Sequence, residues 1–173
     1  MIKPKSLNKR KYDYSLVHLP RTLESTIFDA FMALEVLAVW LLSTWLYVKF
    51  DTVPTHFNAA GKADAWGSHG MLLFFALIAT VCMAVLAYSA YHPKYVNTPL
   101  QLKTVEEHLI NARLLRILGI IIGLLFIAIE VKMSGAVIGL SDRAFAMMML
   151  LFVVAIMGVS IGFYAYIHFR FHR

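Results

Sequence analysis

Long apolar runs alternate with short polar segments along this chain. Four of the apolar runs are each long enough to cross a bilayer as a helix, which takes about 20 residues. They lie at residues 27–48, 70–91, 114–133 and 143–168. The pattern predicts an all-α integral membrane protein, a four-transmembrane-helix bundle with an ordered outer loop between helices 1 and 2.

Composition supports a lipid environment. Of the 173 residues, 60% are hydrophobic and 15% are charged, whereas a soluble domain has about 25% charged residues. The net charge of +6 is concentrated at membrane-flanking positions, where the positive-inside rule explains it, so no nucleic-acid partner is predicted. The single cysteine, Cys82, excludes an intramolecular disulfide. The chain therefore divides into a basic cytoplasmic arm (1–26), a transmembrane domain (27–169) and a basic tail (170–173).

Local signals set some of the helix ends and contacts. His92-Pro93 ends the second helix because proline has no N–H and restricts the residue before it. The sequence from Thr104 to Glu107 has the form of a capping box, so a helix should begin there and continue into the third span. Two GxxxG motifs are interpreted first as helix-packing faces, with homodimerisation as the alternative. Their glycines are Gly119 and Gly123 in the third span, and Gly158 and Gly162 in the fourth.

Two carboxylic acids, Glu35 and Glu130, fall inside predicted spans. An isolated carboxylate in hydrocarbon is costly, so each should face the bundle, be protonated or find a donor. For Glu35 the possible donors are Thr44, Arg113 and Arg116. Two interpretations stay open, a proton or cation site and a structural polar contact between helices.

The polar loop at 49–69 is the most informative segment. Pro54 prevents the first helix from continuing, and Gly61 suits a backbone position with positive φ. Asn58 and Asp64 are residues that bond their own backbone in turns. Phe57 and Trp66 could enter the membrane interface or cap the bundle. One interpretation is therefore a compact, self-bonded loop that closes two helices.

The alternative interpretation is a chemical site. His56, Asp64 and His69 could hold a metal, but their spacing matches no metal motif, so no metal and no cofactor are predicted. His56 with Asp64 could act as an acid–base pair. No serine or cysteine lies in an activating context beside them, and no catalytic residue is assigned. An enzyme is disfavoured.

The same loop resembles a known membrane family. The residues that carry the resemblance are Pro54, His56, Phe57, Asn58, Gly61, Asp64, Trp66 and Gly67. They resemble the signature of a bacterial integral-membrane domain of unknown function that occurs in the amino-terminal part of SdpI-type immunity proteins. Ala63 departs from the pattern, where the family usually has proline. The likeness extends over roughly residues 30–116.

The resemblance implies a multi-pass protein of the bacterial inner (plasma) membrane. SdpI-type proteins protect a producing cell from its own secreted toxin, and some act in signalling. Lys and Arg counts place both termini in the cytoplasm and the His56 loop outside. The leading hypothesis is a non-enzymatic protein that recognises a peptide, lipid or protein partner through this loop. The alternatives are an accessory subunit or homo-oligomer of a larger complex, and a small proton-coupled transporter that uses Glu35.

Overall fold

The computed structural model describes residues 19–134 and 141–172. Four long helices and one two-stranded antiparallel sheet make up this part of the chain. The helices are α1 (Leu23–Lys49), α2 (Gly70–Tyr91), α3 (Val105–Met133) and α4 (Asp142–Phe171); the strands, β1 (Thr52–Phe57) and β2 (Ala63–Ser68), lie between α1 and α2. Most of the predicted basic arm, residues 135–140 and Arg173 lie outside the described residues.

All four helices are long and apolar enough to cross a membrane. The predicted four-span, all-α architecture is therefore confirmed. The loop predicted between the first two helices is a β-hairpin, which the sequence pattern did not predict. We call the end of the bundle that carries it the hairpin end.

Capping residues determine where two helices begin. Thr22 and Ser25 form a capping box at α1, and Thr104 and Glu107 form the predicted one at α3. One carboxylate oxygen of Glu107 accepts hydrogen bonds from the backbone N–H groups of Lys103 at 2.8 Å and Thr104 at 2.7 Å. These bonds satisfy donors that a helix start leaves without partners. Helix α3 consequently begins with a polar turn before its apolar run.

A parallel contact between α1 and α3 forms the centre of the bundle. Residues further along α1 contact residues further along α3, so the two helices run parallel. We call this interface the α1–α3 seam. Gly119 faces the side chain of Met32, and Gly123 faces the carboxylate of Glu35. Without Cβ atoms at these two positions the helices approach closely, as expected for a small-residue interface in lipid.

Helix α2 packs against both members of this seam. The indole N–H of Trp40 on α1 donates to Thr80 of α2 at 2.9 Å. The hydroxyl of Tyr91 at the end of α2 donates to Asp29 of α1 at 2.5 Å. Ala76 is fully buried beside Val39. The small side chains on α2 thus bring it close to α1, and the polar ones are hydrogen-bonded across the interface.

Helix α4 packs mainly on α3 and contributes little to the bundle centre. Its hydrogen bonds to α3 lie near the two ends, for example Tyr164 to Asn111 at 3.0 Å and Lys132 to Asp142 at 2.6 Å. No heavy atom of the described residues lies within 4 Å of a Cβ built on Gly158 or Gly162. The two glycines of α4 therefore make no close contact with another described helix, unlike those of α3.

This difference predicts that leucine is harmful at Gly123 and tolerated at Gly158. At Gly123 a side chain would collide with Glu35 and Met83, and overpacking of this kind costs about 1–3 kcal/mol. At Gly158 the space is open, and leucine is the better helix former. Unfolding of the two variants and the parent protein in the same detergent measures the difference. Equal losses of stability would mean that α1 and α3 do not approach closely at Gly123.

Candidate functional site

The hairpin between α1 and α2 is a short antiparallel ribbon. Thr52 pairs with Ser68 at its base, and Phe57 pairs with Ala63 near its turn. The register shifts on either side of His56. Such bulges bend a strand and re-aim its side chains. Proline is tolerated at Pro54 because a two-stranded ribbon has only edge strands.

Asn58 and Gly61 close the turn. The side-chain oxygen of Asn58 accepts hydrogen bonds from the backbone N–H groups of Ala60 at 3.0 Å and Lys62 at 3.1 Å. Gly61 has φ of +78°, which glycine adopts at little cost. A Cβ at Gly61 would also collide with the backbone carbonyl of Asp142. The turn therefore rests directly on the first turn of α4.

The hairpin is fixed to the bundle at its base as well. Val53 is buried in a cluster with Leu46, Leu72 and Met133. The ring of His69 lies with Nδ1 2.9 Å from the carbonyl oxygen of Phe50, so this nitrogen donates and holds the two ends of the hairpin together. Apolar packing and backbone bonding together hold the hairpin in one position over the bundle.

His56 and Asp64 form an ion pair across the hairpin. Nδ1 of His56 lies 2.5 Å from Oδ1 of Asp64, and the two side chains are 68% and 43% exposed. An exposed pair of this kind contributes at most about 1 kcal/mol. His69 does not join it, because its ring is held at Phe50 instead. The three residues considered as the alternative metal site therefore do not converge.

Beneath the hairpin is a cavity of about 440 Å³. The hairpin forms one wall, and α2, α3 and α4 form the others. Polar groups of Thr55, His56 and Asn58 lie at one side, while methionine and aromatic side chains dominate the rest. The lining residues are Pro54, Thr55, His56, Phe57, Asn58, Ala59, Gly61, Met71, Phe75, Ile129, Met133, Phe145, Ala146 and Met149.

The ring of Phe57 limits this cavity on the α4 side. It packs against Phe145 with the ring centroids 5.0 Å apart. Trp66, on the other strand, is 64% exposed and is not among the lining residues. Of the two aromatic residues that the sequence singled out, Phe57 contacts the bundle and Trp66 faces outward.

A second cavity, of about 690 Å³, lies at the opposite end of the bundle. Three arginines line it, and each is paired with an acid. Arg113 bonds Glu24 at 2.7 Å, and Arg170 bonds Glu106 at 2.9 Å. The third, Arg116, lies 3.5 Å from Asp29 on α1. The positive charges are thus balanced by carboxylates, and the cavity has no excess charge for an anionic ligand.

Both intramembrane acids lie on the α1–α3 seam. Glu35 is 8% exposed and Glu130 is fully buried. Oε2 of each has no hydrogen-bond partner among the described residues. The three donors that the sequence suggested for Glu35 do not bond it: Arg113 and Arg116 pair with other acids, and no hydrogen bond to Thr44 is described.

The described residues of the hairpin and its cavity include no cluster of metal-ligating side chains. No group of three or more His, Cys, Asp or Glu residues among those described could hold a metal ion. Cys82 lies within α2, and the His56–Asp64 pair has no nucleophile bonded to it. The hairpin cavity presents instead an apolar floor with a polar side, which is the usual form of a ligand pocket.

Several residues of these sites were not identified from the sequence. Ser43, whose hydroxyl bonds Glu130, lies eight positions after Glu35 on the same face of α1. That spacing was the available signal, since positions i, i+4 and i+8 lie within one stripe along a helix. Phe145 and Met149 could not be found in this way, because the pattern of α4 does not show which face meets the hairpin.

The fold and these contacts define a multi-pass membrane protein in which the first two helices carry an ordered hairpin. Residues 35–81 match the family described as Domain of unknown function (DUF1648). The matched segment covers the second half of α1, the whole hairpin and the first half of α2. No curated protein and no solved structure matches the chain.

The contacts of Gly61 predict that alanine there detaches the turn from α4. A residue with a Cβ is strained by about 1–2 kcal/mol at this φ, and the collision with Asp142 adds to the cost. Trypsin should then cleave after Lys62 faster than in the parent protein.

Gly70→Ala is the matched control, since a Cβ there meets only the hydroxyl oxygen of Ser68 at 3.7 Å. Cleavage at the parent rate in both variants would contradict the contact between the turn and α4.

Proposed function

We propose that the protein is a non-enzymatic bacterial membrane protein that recognises an amphiphilic peptide in the cavity beneath its hairpin, in an immunity or signalling role. The cavity is the observation that carries this proposal. Its volume of about 440 Å³ is within the range of about 300–1,000 Å³ typical of ligand pockets. The match of residues 35–81 to a domain of unknown function agrees with a role centred on this segment.

The lining of the cavity supports an amphiphilic occupant. Met71, Met133 and Met149 come from three different helices, and methionine side chains adapt their shape to varied apolar groups. His56 and Asn58 supply hydrogen-bonding groups at the hairpin side. A peptide with apolar side chains and a polar backbone satisfies both surfaces, whereas an acyl chain would leave the polar side unused.

The anchored hairpin supports recognition as well. Val53 is buried and Gly61 is seated on α4, so the hairpin wall is fixed before a ligand arrives. A preformed pocket loses little conformational entropy on binding. The exposed pair of His56 and Asp64 is then available to contact the polar part of the ligand.

The proposed orientation places the hairpin outside the cell. The hairpin segment carries Lys62 and Asp64 and is nearly balanced in charge, while Arg113, Arg116 and Arg170 lie at the opposite end. By the positive-inside rule the arginine end is cytoplasmic, in the inner membrane of a bacterium. A secreted peptide would thus reach the cavity from the outside or from the outer leaflet.

The open face of α4 favours a second candidate, an accessory subunit or homo-oligomer. A Cβ built on Gly158 or Gly162 meets no atom of another described helix within 4 Å, and such motifs serve helix contacts in lipid. Gly158→Leu distinguishes the two candidates, since it should disrupt an assembly and leave a stand-alone receptor intact. Proton-coupled transport has less support, because no described hydrogen bond links Glu35 to Glu130.

Filling the cavity tests the peptide proposal. Met149→Trp should occupy the space that the peptide would take. A native host that lacks the protein should become sensitive to its own spent culture medium. The parent protein should restore growth, and the Met149→Trp variant should fail to do so. Growth rate in spent medium is the measurement.

Met147→Trp is the control, because Met147 lies two positions away on α4, is 59% exposed and does not line the cavity. This variant should restore growth fully, and both variants should be present in the membrane in equal amounts. Growth restored equally by both would exclude the cavity as the site. Normal growth of the deletion strain would exclude an immunity role.

A further inference from the structure

Glu130 lies where three helices meet, one turn below the apolar cluster that supports the hairpin. It is fully buried, as is Ser43 of α1. The hydroxyl oxygen of Ser43 is within hydrogen-bonding distance of Oε1 of Glu130. The same hydroxyl lies 3.2 Å from the backbone carbonyl oxygen of Leu72 in α2. One serine hydroxyl thus connects a carboxyl group of α3 with the backbone of α2.

Counting protons assigns the state of this carboxyl group. A serine hydroxyl has one proton to donate and can also accept. The Leu72 carbonyl can only accept, and an ionised Glu130 could also only accept. Both contacts are hydrogen bonds only when Glu130 is protonated, donates to Ser43, and Ser43 in turn donates to Leu72. An ionised Glu130 would leave Ser43 able to bond only one of its two neighbours.

The surroundings favour the same assignment. Oε2 of Glu130 has no hydrogen-bond partner among the described residues. An ionised carboxylate here would have one hydrogen bond to the described side chains, and isolated buried charges of this kind are neutralised rather than maintained. For a neutral carboxyl group, Oε2 is a carbonyl oxygen, and leaving it unbonded costs much less.

No described cation offsets a negative charge at this position. None of the ion pairs between described residues includes Glu130. Lys132, two positions further along α3, bonds Asp142 at 2.6 Å. On α1 the facing group is Ser43, and on α2 it is Leu72. The other acid of the seam, Glu35, faces Gly123, which lies two helical turns before Glu130.

We propose that Glu130, Ser43 and the carbonyl of Leu72 form a proton-binding site that joins α1, α2 and α3 beneath the hairpin. The apolar cluster directly above it contains Leu46, Leu72 and Met133, on which Val53 of the hairpin packs. Loss of the proton would place a charge among these helices and separate them. The hairpin would then lose its support, whether or not it binds a peptide.

Infrared spectroscopy of the whole protein in lipid nanodiscs tests the site. At neutral pH the parent protein should show the carbonyl band of a protonated carboxyl group, sensitive to exchange into D₂O. The band that disappears between the parent protein and Glu130→Gln should remain in the matched control Glu35→Gln, and it should shift in Ser43→Ala because its acceptor is lost. A spectrum unchanged by Glu130→Gln would overturn the proposal.

Trypsin cleavage after Lys62 tests the link to the hairpin. The cleavage rate of the parent protein is divided by that of Glu130→Gln at each pH, which cancels the pH dependence of trypsin. The unfolded chain gives up this proton near pH 4.3, so a folded state that retains it is stabilised at lower pH. While the infrared band persists above this pH, the ratio should rise by up to about tenfold per pH unit, because opening releases one proton.

As the band fades at higher pH, the folded protein has lost the same proton, so the ratio should level off. A band that fades without any rise in the ratio would overturn the link. Glu35→Gln should follow the parent protein throughout, which excludes a general effect of pH on the seam. Growth protection plays no part in either measurement, so failure here is distinguishable from failure of the peptide proposal.

Discussion

The close parallel approach of α1 and α3 is the constraint on which the rest of the structure depends. It requires glycine at Gly119 and Gly123, because any larger side chain would meet Met32 or Glu35. Lipid supplies no hydrophobic force to bring helices together, so shape and polar contacts must do so. Helix α2 then closes on the pair, and the ends of these three helices form the platform for the hairpin.

The acidic side chains along the α1–α3 seam have different hydrogen-bonding partners at its two ends. At the end away from the hairpin, carboxylates face arginines: Glu24 pairs with Arg113, and Asp29 with Arg116. Near the hairpin, the described hydrogen bond of the Glu130 side chain is with the hydroxyl of Ser43, which also contacts the carbonyl of Leu72. The charged pairs thus lie at the end of the bundle where long side chains can reach water and lipid headgroups. Neutral hydrogen bonding replaces it where the helices are sealed by apolar residues.

The sequence predicted the architecture well because span length and hydropathy are strong signals in a membrane protein. The helix start at Thr104 was also predictable, since a capping box is a local pattern. The two strands were not, because Ala63 and the glycines on both sides of β2 have little strand preference, and the pairing depends on the turn at Asn58 and Gly61. The cavity depends on where Met149 of α4 meets the hairpin, which is a tertiary contact without a local signal.

Helix α1 is far in sequence from the α3 residues that it contacts, and this distance has a consequence for synthesis of the protein. The residues of α3 that bond Glu24 and Ser43 lie 89 and 87 positions downstream. While the ribosome is making α2, these groups and Glu35 have no α3 to face. Helix α1 must therefore wait beside the insertion machinery, or in a polar part of the bilayer, until α3 emerges. Helix α4 packs mainly on α3, so it can join only after the first three helices have assembled.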